Sequence, residues 1–207
     1  LIVIHNCPPK ISFHESNKKR TDNEPIRIAY FGILSASRLI KEMIEVVSEN
    51  KEYELHIGGF GVLDDYVKEA ASKHENIVFY GTVPYQKVLE VESESDILTA
   101  IYDPAVKNHY YAAPNKFYES IMLGKPVIMA KNTGMSEIVE EHDIGTTIDF
   151  SKEGIQKGLK ELTEKKSVWP QMSTRMKQLY NDKYSWEEME RRLISAYEEL
   201  KVGGNNG

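Results

Sequence analysis

The stretch AAPNKFYESIMLGKPVIMAKNTGMSEIV, Ala112–Val139, places Pro-Asn-Lys at the mouth of a helix and Gly-Lys-Pro at its end. Asn115 reads as an N-cap and Pro114 sets the approach to the helix, whose first backbone N–H groups have no partners within it. Those groups and the helix dipole favour an anion. Lys116 lies on the first turn, where a cation is unfavourable to a bare helix; a negatively charged ligand explains its placement, and so does simple solvation. Glu119 lies one turn further in, off the apolar face of Phe117, Tyr118, Ile121 and Met122. It reads either as a carboxylate that accepts from two neighbouring hydroxyls, as a ribose offers, or as an ordinary surface glutamate. Gly124 ends the helix, and Pro126 prevents its continuation before the strand KPVIMA.

Outward from this helix the chain alternates short β-rich runs with helical spacing. IRIAYFG precedes a helix with Leu39, Ile40, Met43, Ile44 and Val47 on one face. YELHIGG precedes one carrying Leu63, Tyr66, Val67, Ala70 and Ala71, and NIVFYG one around Gln86–Glu92. DILTAIY leads through a loop to Asn115–Leu123, and KPVIMA and GTTIDF add two strands. The expectation is an α/β fold, a Rossmann-like doubly wound parallel sheet of about six strands with helices on both faces. Three helices close the chain, Ser151–Glu164, one around Val168–Asn181, and Ser185–Leu200. The last has Ser185 and Glu188 as a capping box and Met189, Leu193, Tyr197 and Leu200 as its stripe.

Ligands of such sheets sit beyond the carboxyl ends of the strands, where the strand order reverses. With the order 3-2-1-4-5-6, the loop GILSASR after the first strand faces DPAVKNHYYAAPNK after the fourth. Gly32 permits a tight turn or a close backbone approach, and Arg38 starts the next helix where it can meet an anion. A phosphate site at two facing helix N-termini follows. Gly58, Gly59 and Gly61 read equally as turn formers.

The 207 residues, 41% hydrophobic and 28% charged, fit one large domain or two small ones with a real core. A formal charge of −6 argues against general nucleic-acid binding and leaves room for a local basic pocket. Cys7, the single cysteine, excludes a disulfide framework and suits a reducing cytosol. No apolar run approaches a membrane span. His74, His109 and His142 lack ligand spacing and read as surface residues, and no Asp-x-Asp pattern occurs, so neither a metal nor a cofactor is expected. LIVIHNC reads as a short strand that enters without a cap, and the polar, Pro-flanked segment behind it as a linker. The division is 1–25 interdomain strand and linker, 26–201 one Rossmann-like domain, and 202–207 a frayed tail.

PNKFYESIMLGKPVIMAKNTGMSEIV resembles the donor-binding segment of GT-B glycosyltransferases of the large retaining family 4, with its Glu-containing helix, Gly-x-Pro-Val-Ile and later Gly-x-x-Glu. IAYFGILSASR is similar to that family's glycine loop, IGGFG to its second-strand turn, NIVFYGTVPYQKV to its base-binding loop, and YSWEEMERRLISAYEEL to the C-terminal helix that packs back toward the other lobe. The resemblance runs from about Ile26 to Leu200. It implies the donor-binding C-terminal half of a GT-B enzyme, with an acceptor lobe preceding Leu1, acting on surface glycans in the cytoplasm or peripherally at the inner face of the membrane. Its implied ligand is a nucleoside diphosphate sugar. Carried over by position, Glu119 binds the ribose hydroxyls and Pro114, Asn115, Lys116 and Phe117 border the diphosphate or sugar. Val83 and Tyr85 in the loop Gly81–Tyr85 face the base, and Gly32 lies in the glycine loop. Arg38 stands where many relatives have the lysine that neutralises the diphosphate, so Arg38 and Lys116 are the candidate catalytic groups. Two positions depart from the pattern: the arginine often found after the first glycine is Ile33, and the first glutamate of Glu-x7-Glu falls at Tyr111. Two other readings stay open. A nucleotide-sugar epimerase on the same frame needs additional acid/base groups such as His109, and a non-catalytic nucleotide-binding module fits the loss of glutamate at Tyr111. A dinucleotide oxidoreductase lacks its Gly-x-Gly-x-x-Gly.

Overall fold

A computed structural model describes residues 2–10 and 24–203. Along the chain run β1 (Ile26–Ile33), α1 (Ile40–Ser48), β2 (Tyr53–Phe60), α2 (Asp64–Lys73), β3 (Ile77–Phe79), α3 (Tyr85–Glu94), β4 (Ile97–Ala100) and α4 (Lys107–Tyr110). They are followed by α5 (Asn115–Leu123), β5 (Val127–Ala130), α6 (Ser136–Glu141), β6 (Gly145–Ile148), α7 (Lys152–Glu164), α8 (Trp169–Leu179) and α9 (Trp186–Gly203). All strand pairs are parallel and the order is β3-β2-β1-β4-β5-β6, as the sequence predicts.

The two-residue period of the strands builds both layers at once, because successive side chains leave opposite faces. In β1, Ile26, Ile28 and Tyr30 enter the core shared with α1, α2 and α7, while Ala29 and Phe31 enter the one shared with α3, α5 and α8. β5 divides likewise, Ile128 and Ala130 to the first core and Val127 and Met129 to the second. Apolar residues on both faces explain why these strands read as near-continuous hydrophobic runs.

Helix α5 has the bounds its sequence predicts and ends at Gly124, whose φ of 68° is the left-handed conformation that closes a helix. The cap is different: Pro114 occupies the N-cap position and Asn115 is the first helical residue. Proline supplies the extended approach, but it offers no side-chain oxygen, so the start of the helix lacks a side-chain cap. Arg38 does not start a helix either. It closes a short 3-10 turn, Ala36–Arg38, and α1 begins two residues later because Leu39 takes a left-handed conformation, φ 53° and ψ 37°.

The opening residues are not a strand. The sheet's edges are β3 and β6, whereas this segment lies over α5, α9 and the turn that joins α8 to α9 and is held by polar contacts. The His5 ring meets the Tyr118 hydroxyl at 2.8 Å through Nδ1, its backbone N–H points at the Met189 sulfur, and the Tyr180 hydroxyl donates to the Pro8 carbonyl at 2.8 Å. Cys7 of this segment is buried. Residues 11–23 of the expected linker lie outside the described residues. So does the expected tail from 204 onward, whereas residues 202 and 203 are the last of α9. A single π-helical turn, Tyr180–Tyr184, joins α8 to α9. Ser185 then caps α9 through the Glu188 N–H at 3.2 Å, but the Glu188 carboxylate pairs with Arg191 and Arg192, so only half of the capping box forms. The stripe of α9 is buried at Met189 and exposed at Leu193, Tyr197 and Leu200.

Candidate functional site

The strand order reverses between β1 and β4, and a crevice opens at their carboxyl ends. Loops 34–39 and 101–114 form its walls. They are tied by the Asp103 N–H, which donates to the Ser37 carbonyl at 3.0 Å.

Arg38 is buried in the first wall, 9% exposed. Its guanidinium lies over the Tyr102 ring, 3.7 Å from the centroid, and its Nη1 donates to the Ser37 carbonyl at 3.0 Å and reaches His109 Nε2 at 3.1 Å. The left-handed Leu39 beside it is a conformation that costs a non-glycine residue about 1–3 kcal/mol and is held only by its surroundings. Such cost is met where a side chain has to be aimed. His109 is thereby removed from the surface class and from free acid/base chemistry: Nε2 meets Arg38, and Nδ1 lies 2.8 Å from the Asp103 carbonyl.

The second wall ends in the uncapped start of α5. Pro114 is buried, the Phe117 side chain is core, and the Phe117 N–H is bonded to the Pro114 carbonyl at 3.0 Å, so of these predicted residues Asn115 and Lys116 are the ones whose N–H groups open the helix. The Asn115 side chain is exposed and accepts from Asn6 Nδ2 at 3.2 Å. The Lys116 ammonium crosses toward β1, 5.3 Å from the centre of the Tyr30 ring and close against Gly32. Burial pulls this ammonium below the ordinary lysine value; Glu119 and Glu92 oppose that and Arg38 adds to it.

Glu119 is no surface residue, being 4% exposed. Burial raises its carboxyl above the usual range, while Lys116 and the Tyr85 hydroxyl hold it down. Tyr85 therefore stands beside the carboxylate, itself half exposed, and Val83 is half-buried against the core of this face. Tyr111, where the family pattern has its first glutamate, is 74% exposed and packs edge-on against Tyr110.

Glu92 has no role in the sequence reading. It sits seven residues after Tyr85 on α3, so the two share a face, and α3 packs on α5. The carboxyl is 2% exposed and its Oε2 has no hydrogen-bond partner in the protein. Burial and the neighbouring Glu119 push it well up, against Lys116. The signal for it was available only as a glutamate at a position α3 buries. No group of three or more metal-ligating side chains occurs among the described residues, and none of their helices is long and apolar enough to cross a membrane.

What the crevice offers is two cations, a helix start and a buried carboxylate within one small volume. An anion with an adjoining pair of hydroxyls fits that set. The family model described as glycosyl transferases group 1 matches residues 12–197. No curated protein matches the chain. Among solved structures it is similar to Anabaena HepE, seen in complex with UDP and glucose, at a TM-score of 0.65 and 14% identity over 85% of this chain and 49% of that one. It is similar to the sucrose-phosphate synthase of Thermosynechococcus elongatus, with a TM-score of 0.69 and 14% identity over 87% and 46%. It is also similar to WaaG, a glycosyltransferase involved in lipopolysaccharide biosynthesis, with a TM-score of 0.61 and 15% identity over 82% and 46%. The chain thus spans about half the length of these proteins, and at such identities the likeness establishes the fold, the six-stranded Rossmann-like sheet of GT-B glycosyltransferases.

Proposed function

The chain belongs to the glycosyl transferases group 1 family, and from that premise we propose that it is the donor-binding domain of a retaining glycosyltransferase, holding a nucleoside diphosphate sugar in the crevice between β1 and β4. The observation that carries this reading is the convergence of Arg38, Lys116 and the uncapped start of α5 beside the buried Glu119.

Retaining transfer requires a nucleoside diphosphate to leave a sugar that develops oxocarbenium character. Groups already fixed where negative charge grows lower that barrier without reorganising. Arg38, clamped on Tyr102, is such a group. Lys116, an ammonium made costly by burial, gains most when a phosphate arrives. The helix start adds backbone N–H donors, and Glu119 takes the ribose hydroxyls, with Tyr85 and Val83 toward the base. UDP is the first nucleotide to test because HepE is seen with UDP. No metal is needed in this scheme, since two side-chain cations and a helix dipole serve the diphosphate.

The acceptor is held by a lobe upstream of residue 1, and α9, with its exposed Leu193, Ile194, Tyr197 and Leu200, packs at the joint between the lobes. A cytoplasmic enzyme of surface-glycan assembly, peripheral at most to the inner face of the membrane, is the corresponding role; WaaG acts in lipopolysaccharide biosynthesis. Positioning supplies a large part of catalysis, so the 207-residue chain by itself binds the donor and does not transfer it. The test incubates the chain, and the same chain with its upstream lobe, with radiolabelled nucleotide sugars and lipid-linked acceptors. Donor binding by both and transfer by the longer protein alone is the expected result, and a folded chain that binds no nucleotide sugar contradicts the reading.

A further inference from the structure

Arg38 and His109 lie 71 residues apart, on opposite walls of the crevice, and meet at 3.1 Å. Their chemistry fixes the state of the imidazole. A guanidinium can only donate, so His109 Nε2 accepts; the Asp103 carbonyl, 2.8 Å from Nδ1, can only accept, so Nδ1 carries the proton. His109 is therefore neutral and held in one tautomer, with its ring edge-on to Tyr102 at 5.2 Å between centroids. The backbone around it is fixed as well, since the His109 carbonyl accepts from Ala112 and Gly134.

We propose that His109 is a positioning residue for the donor: it accepts from Arg38 and keeps the guanidinium seated on Tyr102 at the crevice, aimed at the diphosphate. The proposal rests on the assignment of Arg38 to the diphosphate. The ionisable groups facing the imidazole are Arg38 from the turn after β1 and Tyr102 and Asp103 from the loop after β4. Asp103 Oδ1 accepts from the Ala105 N–H at 2.8 Å, and from the turn before α6 it is the Gly134 N–H that approaches.

Two substitutions divide the imidazole's roles. His109→Gln sets an acceptor where Nε2 lies, and His109→Asn keeps a donor near Nδ1 but withdraws the acceptor from Arg38. The experiment titrates wild type and both variants with UDP, uridine and inorganic pyrophosphate. His109→Gln should bind UDP and pyrophosphate within about threefold of wild type, and His109→Asn roughly tenfold more weakly, as loss of a charge-assisted hydrogen bond entails, with uridine unaffected. Equal affinity in His109→Asn and wild type, or a His109→Gln variant as weak as His109→Asn, overturns the proposal. UDP bound no better than pyrophosphate would sink the nucleotide reading alone, whereas a folded protein that binds none of the three ligands overturns both. Should the variants misfold, long-range proton–nitrogen NMR of the wild-type imidazole decides: an Nδ1–H tautomer is expected, and an Nε2–H tautomer refutes it.

Discussion

Gly32 at the end of β1 and Lys116 at the start of α5 meet across the crevice: a Cβ placed on Gly32 would lie 2.8 Å from the Lys116 ammonium. The glycine is what lets a charged side chain from the second wall lie against the backbone of the first. A larger residue displaces the far end of a flexible lysine and also strains the backbone, because Gly32 has a φ of 155°, which other residues rarely adopt. Gly32→Ala should accordingly lower the melting temperature and, in the protein that remains folded, weaken UDP binding roughly tenfold, the loss of one charge-assisted contact. Differential scanning fluorimetry and calorimetry on the same sample check it; unchanged affinity would mean that Lys116 does not act from this position.

Arg38→Ala and Lys116→Ala should each weaken a nucleoside diphosphate by about 1.5–3 kcal/mol and the bare nucleoside hardly at all. Charge matters only where phosphate is. Equal losses for both ligands would make the two side chains supports of the fold.

Glu119→Gln keeps the volume of a residue 4% exposed but halves its capacity to accept hydrogen bonds, while Glu119→Ala also removes the carboxylate that most favours the Lys116 charge. Nucleotide binding should fall by roughly 2–4 kcal/mol in the alanine variant and by less in the glutamine one. Calorimetry at neutral pH reads both, and a folded Glu119→Ala protein with wild-type affinity would remove Glu119 from the ribose.

Glu92 should titrate against stability. Its carboxyl is raised by burial and by Glu119, so the folded protein holds the proton more tightly than the unfolded chain does. Stability is then greatest below the ordinary carboxylate value of 4.5 and declines as pH rises through the range up to the raised value. Glu92→Gln should therefore be more stable than wild type at neutral pH, by roughly 1–3 kcal/mol, and equal to it near pH 4. Urea denaturation across that range measures the difference, and a difference independent of pH would show that Glu92 is not buried as a titrating group.

The succession of strands and helices and the bounds of α5 were legible because both follow from local pattern: apolar runs between turn residues, a proline before the helix and a glycine after it; the strand order in the sheet follows from the doubly wound fold class. The burial of Glu119 was not. Phe117 to Leu123 are seven consecutive buried residues, because α5 is enclosed by the sheet, α3 and α8, and a periodicity argument assigns any polar residue in such a helix to a solvent face. Glu92 was missed for the same reason, on a helix whose buried side faces another carboxylate. Arg38 was read one element late, since no residue preference marks a left-handed Leu39 that stops one helical turn and starts the next. His109 was read as exposed because its partners, Arg38 and the Asp103 carbonyl, become neighbours only when the loops after β1 and β4 meet.

The central claim, that the crevice holds a nucleoside diphosphate with its ribose on Glu119, is tested most directly by titrating UDP and 2′,3′-dideoxy-UDP into wild type and Glu119→Gln. Wild type should prefer the ribonucleotide by roughly tenfold or more, and most of that preference should vanish in the variant, as expected when both changes remove the same hydrogen bonds. A ribose preference that survives undiminished in folded Glu119→Gln contradicts the account.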